Sequence, residues 1–315
     1  MSDKMSESFI MQVYKRLIKS QDIKFKLIKA LKWLPDSLML RIEYRLKTGY
    51  CLHLKRPKRY TEKLQWYKLN YRTALMTLCS DKYTVREYVK SKGYEKYLNE
   101  LYAVYNSADE IDFEKLPNSF ALKCSTGSGM NYFVADKSKE DLAALRRMVE
   151  KWLKQDNGYL LGREWGYKNC KPKILVERLL PRDASNDLPD YKFFCFYGKV
   201  FCLYVMTDYV DDHSKGKLAF YDRNFRKLPY HRMEYKPLTK KLNKPACFDE
   251  MLAVAEALSK DFPHVRVDLY DINGKPVFGE MTFYTASGFF RFEPDEFDFI
   301  MGRVFRLPKP VCEDK

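Results

Sequence analysis

Asp268 and Glu280 flank Asn273-Gly274 within Val265–Phe283, a stretch in which apolar and polar residues alternate. Alternation interrupted by Asn-Gly reads as a β-hairpin, and its loop length decides what the two carboxylates can do. A strict two-residue turn pairs Asp268 with Gly279 and sends Glu280 to the opposite face. An odd loop centred on Gly274, with the glycine at positive φ, pairs residue 272 with residue 276. Asp268 then lies across from Glu280, and Arg266 across from Thr282, all on one face. Carboxylates so placed are roughly 5 Å apart at Cβ, where like charges destabilise a sheet. A hard divalent cation removes that conflict, because Mg²⁺ is held by one or two carboxylates and completed by phosphate oxygens. With the two-residue turn the pair would be unrelated surface charges; the hairpin alone leaves both open.

Other residues carry chemistry of the same kind. Ser125-Thr-Gly-Ser-Gly129 joins two strand-like runs, Phe120–Cys124 and Asn131–Ala135. Its backbone can approach closely and present N–H groups to phosphate oxygens. It lacks the spacing of a Walker loop and leads into a strand, so it reads as a flexible flap or a plain hairpin turn. Lys123 supplies a point charge from the strand behind it. Lys82 stands at the start of a short helix, where a cation gains nothing from the helix dipole. Glu177 interrupts the apolar run 173–180, and a carboxylate there needs a partner or a ligand. Lys192 alternates with Asp190 among aromatic neighbours.

Bulk properties narrow the classes. The 315 residues suffice for two or three lobes. No apolar run is long enough to span a bilayer, and the first residues lack the layout of a secretory signal, so a soluble, non-exported protein is expected. The 8 cysteines form no CxxC pair and read as small buried hydrophobes in a reducing compartment. With 4 scattered histidines, a histidine metal centre is not expected. Of the net charge of +15, residues 1–60 hold +10, from fifteen Lys/Arg against five Asp/Glu. No nucleic-acid motif accompanies that charge, so no nucleic-acid partner is expected. A phosphate-rich substrate or an anionic membrane surface accounts for it equally well.

The elements that must position these residues follow from periodicity. Residues 9–46 read as two or three basic amphipathic helices, suited either to a membrane surface or to packing on the body. Residues 61–79 read as a helix with Leu64 and Tyr67 on its apolar face. Ser80 or Asp81 caps a helix running to Lys90, Ser138 or Lys139 opens one running through Trp152, and Phe248–Leu258 is another. Strands are expected at 101–105, 120–124, 131–135, 173–180 and in the hairpin 190–205. Arg163–Tyr167 is an aromatic loop without an assignment.

In this order the chain resembles the ATP-grasp enzymes, and within them the TupA-like branch associated with bacterial surface-polysaccharide genes. The resemblance rests on Asp81-Lys-Tyr-Thr-Val-Arg-Glu-Tyr-Val89, Leu122-Lys-Cys-Ser-Thr-Gly-Ser-Gly129 and Val176-Glu-Arg-Leu179. Asp190-Tyr-Lys-Phe-Phe-Cys-Phe196, Arg266-Val-Asp-Leu269 and Phe278-Gly-Glu-Met-Thr-Phe283 complete it. It spans about residues 55–308. It implies that Lys82, Lys123 and Lys192 meet ATP phosphates beneath a flap of Gly127, Ser128 and Gly129. Glu177 would open the hinge facing adenine, with Asp183 or Asp187 near the ribose. Arg266 and Lys192 would be catalytic, Arg266 near the transferring group, while Asp268, Glu280 and Thr282 would hold Mg²⁺. ATP-grasp enzymes generally have Asn where this chain has Thr282, although the TupA-like branch itself shows threonine there.

The resemblance further implies an α+β, ATP-grasp fold in which two α+β subdomains grip ATP behind a helical, basic N-terminal extension. The expected divisions are 1–60, a basic helical segment; 61–119, a helical and α+β region; 120–180, the subdomain with the flap; and 181–315, the subdomain with the metal-binding hairpin. The activity implied is carboxylate–amine ligation through an acylphosphate, with ATP, a carboxylate and an amine as substrates, in bacterial surface-polysaccharide biosynthesis. Sugar kinase, glycosyltransferase and a membrane-recruited assembly protein are the rival readings. The location expected is the cytoplasm, with residues 9–46 available for peripheral contact with anionic membrane.

Overall fold

The structure, a computed structural model, describes residues 30–313 except 156, 161 and 211. The amphipathic pattern at residues 9–29 lies outside the described residues. From there the chain forms helix α1 (Asp36–Thr48), closed by Gly49 at φ 81°. Helix α2 (Tyr60–Asn70) follows, then α3 (Ala74–Ser80) and α4 (Val85–Ser91). The single helix expected over 61–79 is therefore two. The break falls at Tyr71–Arg72, which pair in parallel with Val311–Cys312, and the Thr73 hydroxyl caps α3 by accepting from Met76 N–H. Lys82 precedes α4 instead of lying in its first turn, because Asp81 accepts from the amides of Tyr83 and Thr84 and holds 81–84 as a turn.

Strands β1 (Leu101–Tyr105), β2 (Phe120–Cys124) and β3 (Asn131–Val134) precede helix α5 (Leu142–Lys154). That helix starts later than expected, since the Asp141 carboxylate caps it by accepting from Ala144 N–H. Strand β4 (Ile174–Glu177) completes an antiparallel sheet in the order β1-β4-β2-β3. Its inner face packs on α5 through Leu122, Val134, Leu145, Val149 and Val176.

The second sheet is built from β5 (Asp190–Phe196), β6 (Lys199–Thr207), β7 (Lys217–Asp222), β8 (His264–Ile272) and β9 (Lys275–Thr282). Its order is β7-β6-β5-β8-β9, all antiparallel, with Lys236–Pro237 added in parallel beyond β7. Helix α6 (Phe248–Ser259) covers β5, β6 and β8, and α7 (Glu296–Val304) packs on α2. The outcome is an α+β architecture with each sheet backed by its own apolar core. All eight cysteines are free, and five are buried as expected of small hydrophobes, while Cys170 is half-buried and Cys51 and Cys312 are exposed. No described helix is long and apolar enough to cross a membrane.

Helix α2 departs most from its sequence pattern. Instead of one apolar face it is enclosed on all sides: Glu62, Gln65 and Lys68 are as buried as Leu64 and Tyr67. Its first residue, Tyr60, donates its hydroxyl to Nε2 of the fully buried His264 (2.8 Å), whose Nδ1–H donates to the Cys195 carbonyl (2.9 Å). Burial drives the His264 imidazole down to about 3, the Cys195 carbonyl opposing and the Arg266 charge assisting. In the unfolded chain the ring titrates near 6.5. Between those values the unfolded state binds a proton that the folded state refuses, so stability is complete above the unfolded value and declines as pH falls below it. Lowering the pH by ~1.5 units below the unfolded value is expected to cost about 2 kcal/mol through this residue. Urea titrations should show that slope reduced in His264→Gln; an unchanged slope assigns it to other groups.

Candidate functional site

The β8–β9 hairpin is closed by Asn273 and Gly274, both at positive φ (55° and 76°), with Asp271 accepting from Gly274 N–H at 2.8 Å. Ile272 pairs with Lys275, so of the two turns the sequence leaves open the two-residue one is present and the odd loop is absent. Asp268 nevertheless faces Glu280 and Arg266 faces Thr282, because the register shifts between Asp268 and Leu269. The extra residue is Gly279, a bulge placed in the strand instead of the loop. A Cβ at Gly279 would lie 3.1 Å from both the Asp268 carbonyl and the Tyr270 ring. Glycine is what allows the chain to close in there, and a one-residue realignment decides the face on which Glu280 stands.

Beside the hairpin, β5 places Lys192 opposite Asp268 and Asp190 opposite Tyr270. Six polar side chains from three adjacent strands thus share one face. Asp268, 1% exposed, accepts from Arg266 Nε and Nη2 (both 2.6 Å) and from Lys192 Nζ (2.5 Å). Lys192 also reaches Asp190 at 2.5 Å. Arg266 Nη2 extends to Glu280 (3.0 Å) and the Thr282 hydroxyl (2.9 Å), which itself donates to Glu280 at 2.9 Å. The like-charge conflict that suggested a metal is therefore already met by Arg266 and Lys192. Burial raises the Asp190 carboxyl, and one of its oxygens is buried without a partner. Burial opposes ionisation of Glu280, yet Lys82, Arg266 and Lys192 together hold it down to about 2.

The residues facing the hairpin come from the other sheet. Gly127 and Gly129 take positive φ (73° and 78°) in the 125–129 turn. The turn is tied at its base, where Ser125 Oγ donates to Asp81 (2.6 Å) and Lys82 N–H donates to the Ser125 carbonyl (2.8 Å). Lys82 Nζ donates to the Gly127 carbonyl at 2.7 Å. A cavity of about 200 Å³ lies between the turn and the hairpin, with Gly127, Ser128, Arg266, Glu280 and Thr282 in its wall. A second, more apolar cavity of about 300 Å³ is lined by Lys123, Phe133, Leu179, Leu180, Tyr209 and Tyr270. Lys123 donates to Glu177 at 2.8 Å and Arg86 reaches the other Glu177 oxygen at 3.3 Å, the partners that a carboxylate in an apolar strand required.

Asp183 and Asp187 do not line that second cavity. Asp183 Oδ1 accepts from Ser185 and from Asp187 N–H, and Asp187 accepts from Asp208 N–H, around a separate cavity. A larger cavity of about 800 Å³ opens beside Arg41, His53 and Arg59, and neither the hairpin nor the glycine turn lines it.

The donor set suits Mg²⁺ on chemical grounds. Asp268, Glu280 and Thr282 offer oxygen alone, and Glu280 and Thr282 line the cavity. Among the described residues no cluster of three or more His, Cys, Asp or Glu could hold a metal. Two carboxylates complete a Mg²⁺ shell only with phosphate and water oxygens, which is how such sites bind metal with nucleotide.

Sequence reasoning singles out neither Glu164, which lines the cavity from the unassigned loop 163–167, nor Lys68, which stands behind the cavity wall. Lys68 is fully buried, donating to Gln65 Oε1 (2.9 Å) and to the carbonyls of Gly162 (2.6 Å) and Ser287 (2.7 Å). Burial lowers its ammonium and raises the Glu164 carboxyl, which also accepts from the Ser287 hydroxyl. No local sequence signal marks a contact made by three distant segments.

Comparison with known proteins adds the following. The TupA-like ATP-grasp family model matches residues 62–306. No curated protein sequence matches the chain. Among solved structures, the D-alanine–D-alanine ligase of Bacillus anthracis is similar over 65% of this chain and 57% of its own, at 16% identity and TM-score 0.39. The L-amino acid ligase of Bacillus licheniformis is similar over 94% of this chain and 64% of its own, at 14% identity and TM-score 0.45. The chain thus spans less than two thirds of the length of either.

Proposed function

Because the chain belongs to the TupA-like ATP-grasp family, with the fold that name denotes, we propose that it is an ATP- and Mg²⁺-dependent carboxylate–amine ligase. The observation that carries this reading is the convergence of the 125–129 turn, Lys82, Arg266, Glu280 and Thr282 on one cavity, with a second cavity lined by Lys123. In it, ATP phosphorylates a substrate carboxylate and an amine then displaces phosphate from the acylphosphate, giving an amide. Such chemistry depends on positioning and charge neutralisation more than on a protein nucleophile.

Each residue then has a part. The slot between Phe133 and the 178–181 backbone takes the adenine, and Lys123 the first phosphates. The amides of Gly127, Ser128 and Gly129 cover the phosphate tail, and Lys82 fixes the turn from below while adding its charge. Asp268, Glu280 and Thr282 would hold Mg²⁺, whose chemistry here is to neutralise phosphate oxygens. Lys192 and Arg266 keep Asp268 oriented, and Arg266 presents its charge where the transferring phosphoryl group passes. The family resemblance suggests a uronic acid or amino acid as the carboxylate, joined to a sugar-linked partner in bacterial surface-polysaccharide assembly.

The test is ADP release by purified protein with Mg²⁺, ATP and a panel of uronates and amino acids paired with amines. Mass spectrometry of the product should show an amide. No ADP from any pair, or a product that retains phosphate, overturns the ligase reading.

A further inference from the structure

We propose that the far end of the 200 Å³ cavity seats the amine co-substrate, with Glu164 positioning its ammonium group. The inference rests on the ligase reading and assigns its second substrate a place.

The wall opposite the glycine turn is made by two loops, 162–167 and 284–288, that supply Glu164, Tyr167, Tyr284, Ala286 and Ser287 to the cavity. Their backbones are held in unusual conformations. Arg163, Ala286 and Ser287 have φ of 53°, 44° and 53°, and such residues persist only where surrounding structure enforces them. The enforcement comes from α2. Lys68 donates to the carbonyls of Gly162 and Ser287, and Gln65 Nε2 to those of Ser287 (3.0 Å) and Gly288 (2.9 Å). A Cβ on Gly162 would lie 2.6 Å from Ser287, so the two loops touch backbone to side chain. Two buried polar residues of one helix thus fix the wall on which Glu164 stands.

What that wall presents determines what it takes. Glu164 and Glu280 are carboxylates, while Arg266 is already shared among Asp268, Glu280 and Thr282. Lys68 gives its protons to neutral oxygens and makes no hydrogen bond to Glu164. Burial raises the Glu164 carboxyl despite the pull of Lys68 and the Ser287 hydroxyl, so a cation arriving beside it relieves a desolvated charge. Independently, Tyr284 lines the cavity, is 2% exposed, and its hydroxyl is buried without a hydrogen-bond partner. A buried unpaired hydroxyl in a cavity wall calls for a ligand group to satisfy it. Acceptors converging in this way match a hydrogen-donating cation, which is the state of a primary amine at neutral pH.

The experiment uses the full chain with ATP, Mg²⁺, the uronate and amino-acid panel, and hydroxylamine in place of the amine. Hydroxylamine is mostly uncharged at neutral pH and traps an acylphosphate as a hydroxamate. Ammonium chloride, methylammonium, ethanolamine and glycine are then titrated as inhibitors of trapping. At least one should compete with hydroxylamine, and its inhibition constant should rise about ten- to a hundredfold in Glu164→Gln. An unchanged nucleotide-induced thermal shift shows that the variant is folded. Tyr284→Phe should weaken inhibition while raising the melting temperature, because it removes an unsatisfied hydroxyl. Hydroxamate without competition by any amine, or competition equal in Glu164→Gln, overturns this assignment alone. No hydroxamate from the parent protein overturns the ligase reading and the assignment with it.

Discussion

Glu280→Gln is expected to lower ATP-dependent turnover by roughly 10²–10³-fold while leaving the fold intact. Glu280 is the half-exposed member of the charged face, its side chain 35% accessible, and it lines the cavity beneath the glycine turn. The amide keeps the side chain's length and one oxygen for Arg266 and Thr282, so packing changes little. What is lost is the negative charge that Lys82, Arg266 and Lys192 hold ionised far below neutral pH. That charge is the accessible half of the hard-oxygen pair, so the Mg²⁺-dependent part of nucleotide-induced thermal stabilisation should fall together with ADP release. A variant that retains Mg²⁺-dependent stabilisation and turnover removes Glu280 from the metal site.

The second large effect concerns stability. Asp268→Ala should destabilise the protein by about 3–5 kcal/mol, the usual cost of breaking a buried ion pair from one side. Asp268 takes both Arg266 donors and Lys192 in a buried position. Without it Arg266 retains only Glu280 and Thr282, and Lys192 only Asp190. Adding Lys192→Met to Asp268→Ala should cost less than the two single losses summed, because the second substitution removes a charge that the first left unpaired. Urea unfolding of the four proteins measures this directly. A loss below about 1 kcal/mol in Asp268→Ala, or strict additivity, means that the cluster does not act as a unit.

The hairpin shows how far the sequence could be read. Alternation and Asn-Gly suffice to locate both strands, but they leave open whether Asp268 faces Glu280, because a two-residue turn and an odd loop predict different pairings. The turn has two residues, and Gly279 bulges within the strand. A bulge in the strand and an extra residue in the loop give the same pairing at Asp268. A glycine within a strand does signal a bulge, and here that signal was available. The carboxylate conflict was likewise real, but resolving it required Lys192 from a strand more than seventy residues away.

Periodicity, turn residues and caps are local, and they determined most strands, most helices and the order of the glycine-turn and hairpin motifs. They also carried the family resemblance, since that order is a property of the chain itself. Tertiary structure alone decided that α2 is enclosed, that Lys68 and Gln65 clamp two loops, and that Glu164 and Tyr284 reach the same cavity as Glu280. The physical reason is that burial and charge pairing are properties of neighbours. A lysine on a helix carries the same local pattern whether it meets water or the carbonyls of two distant loops, and only the assembled fold supplies those oxygens.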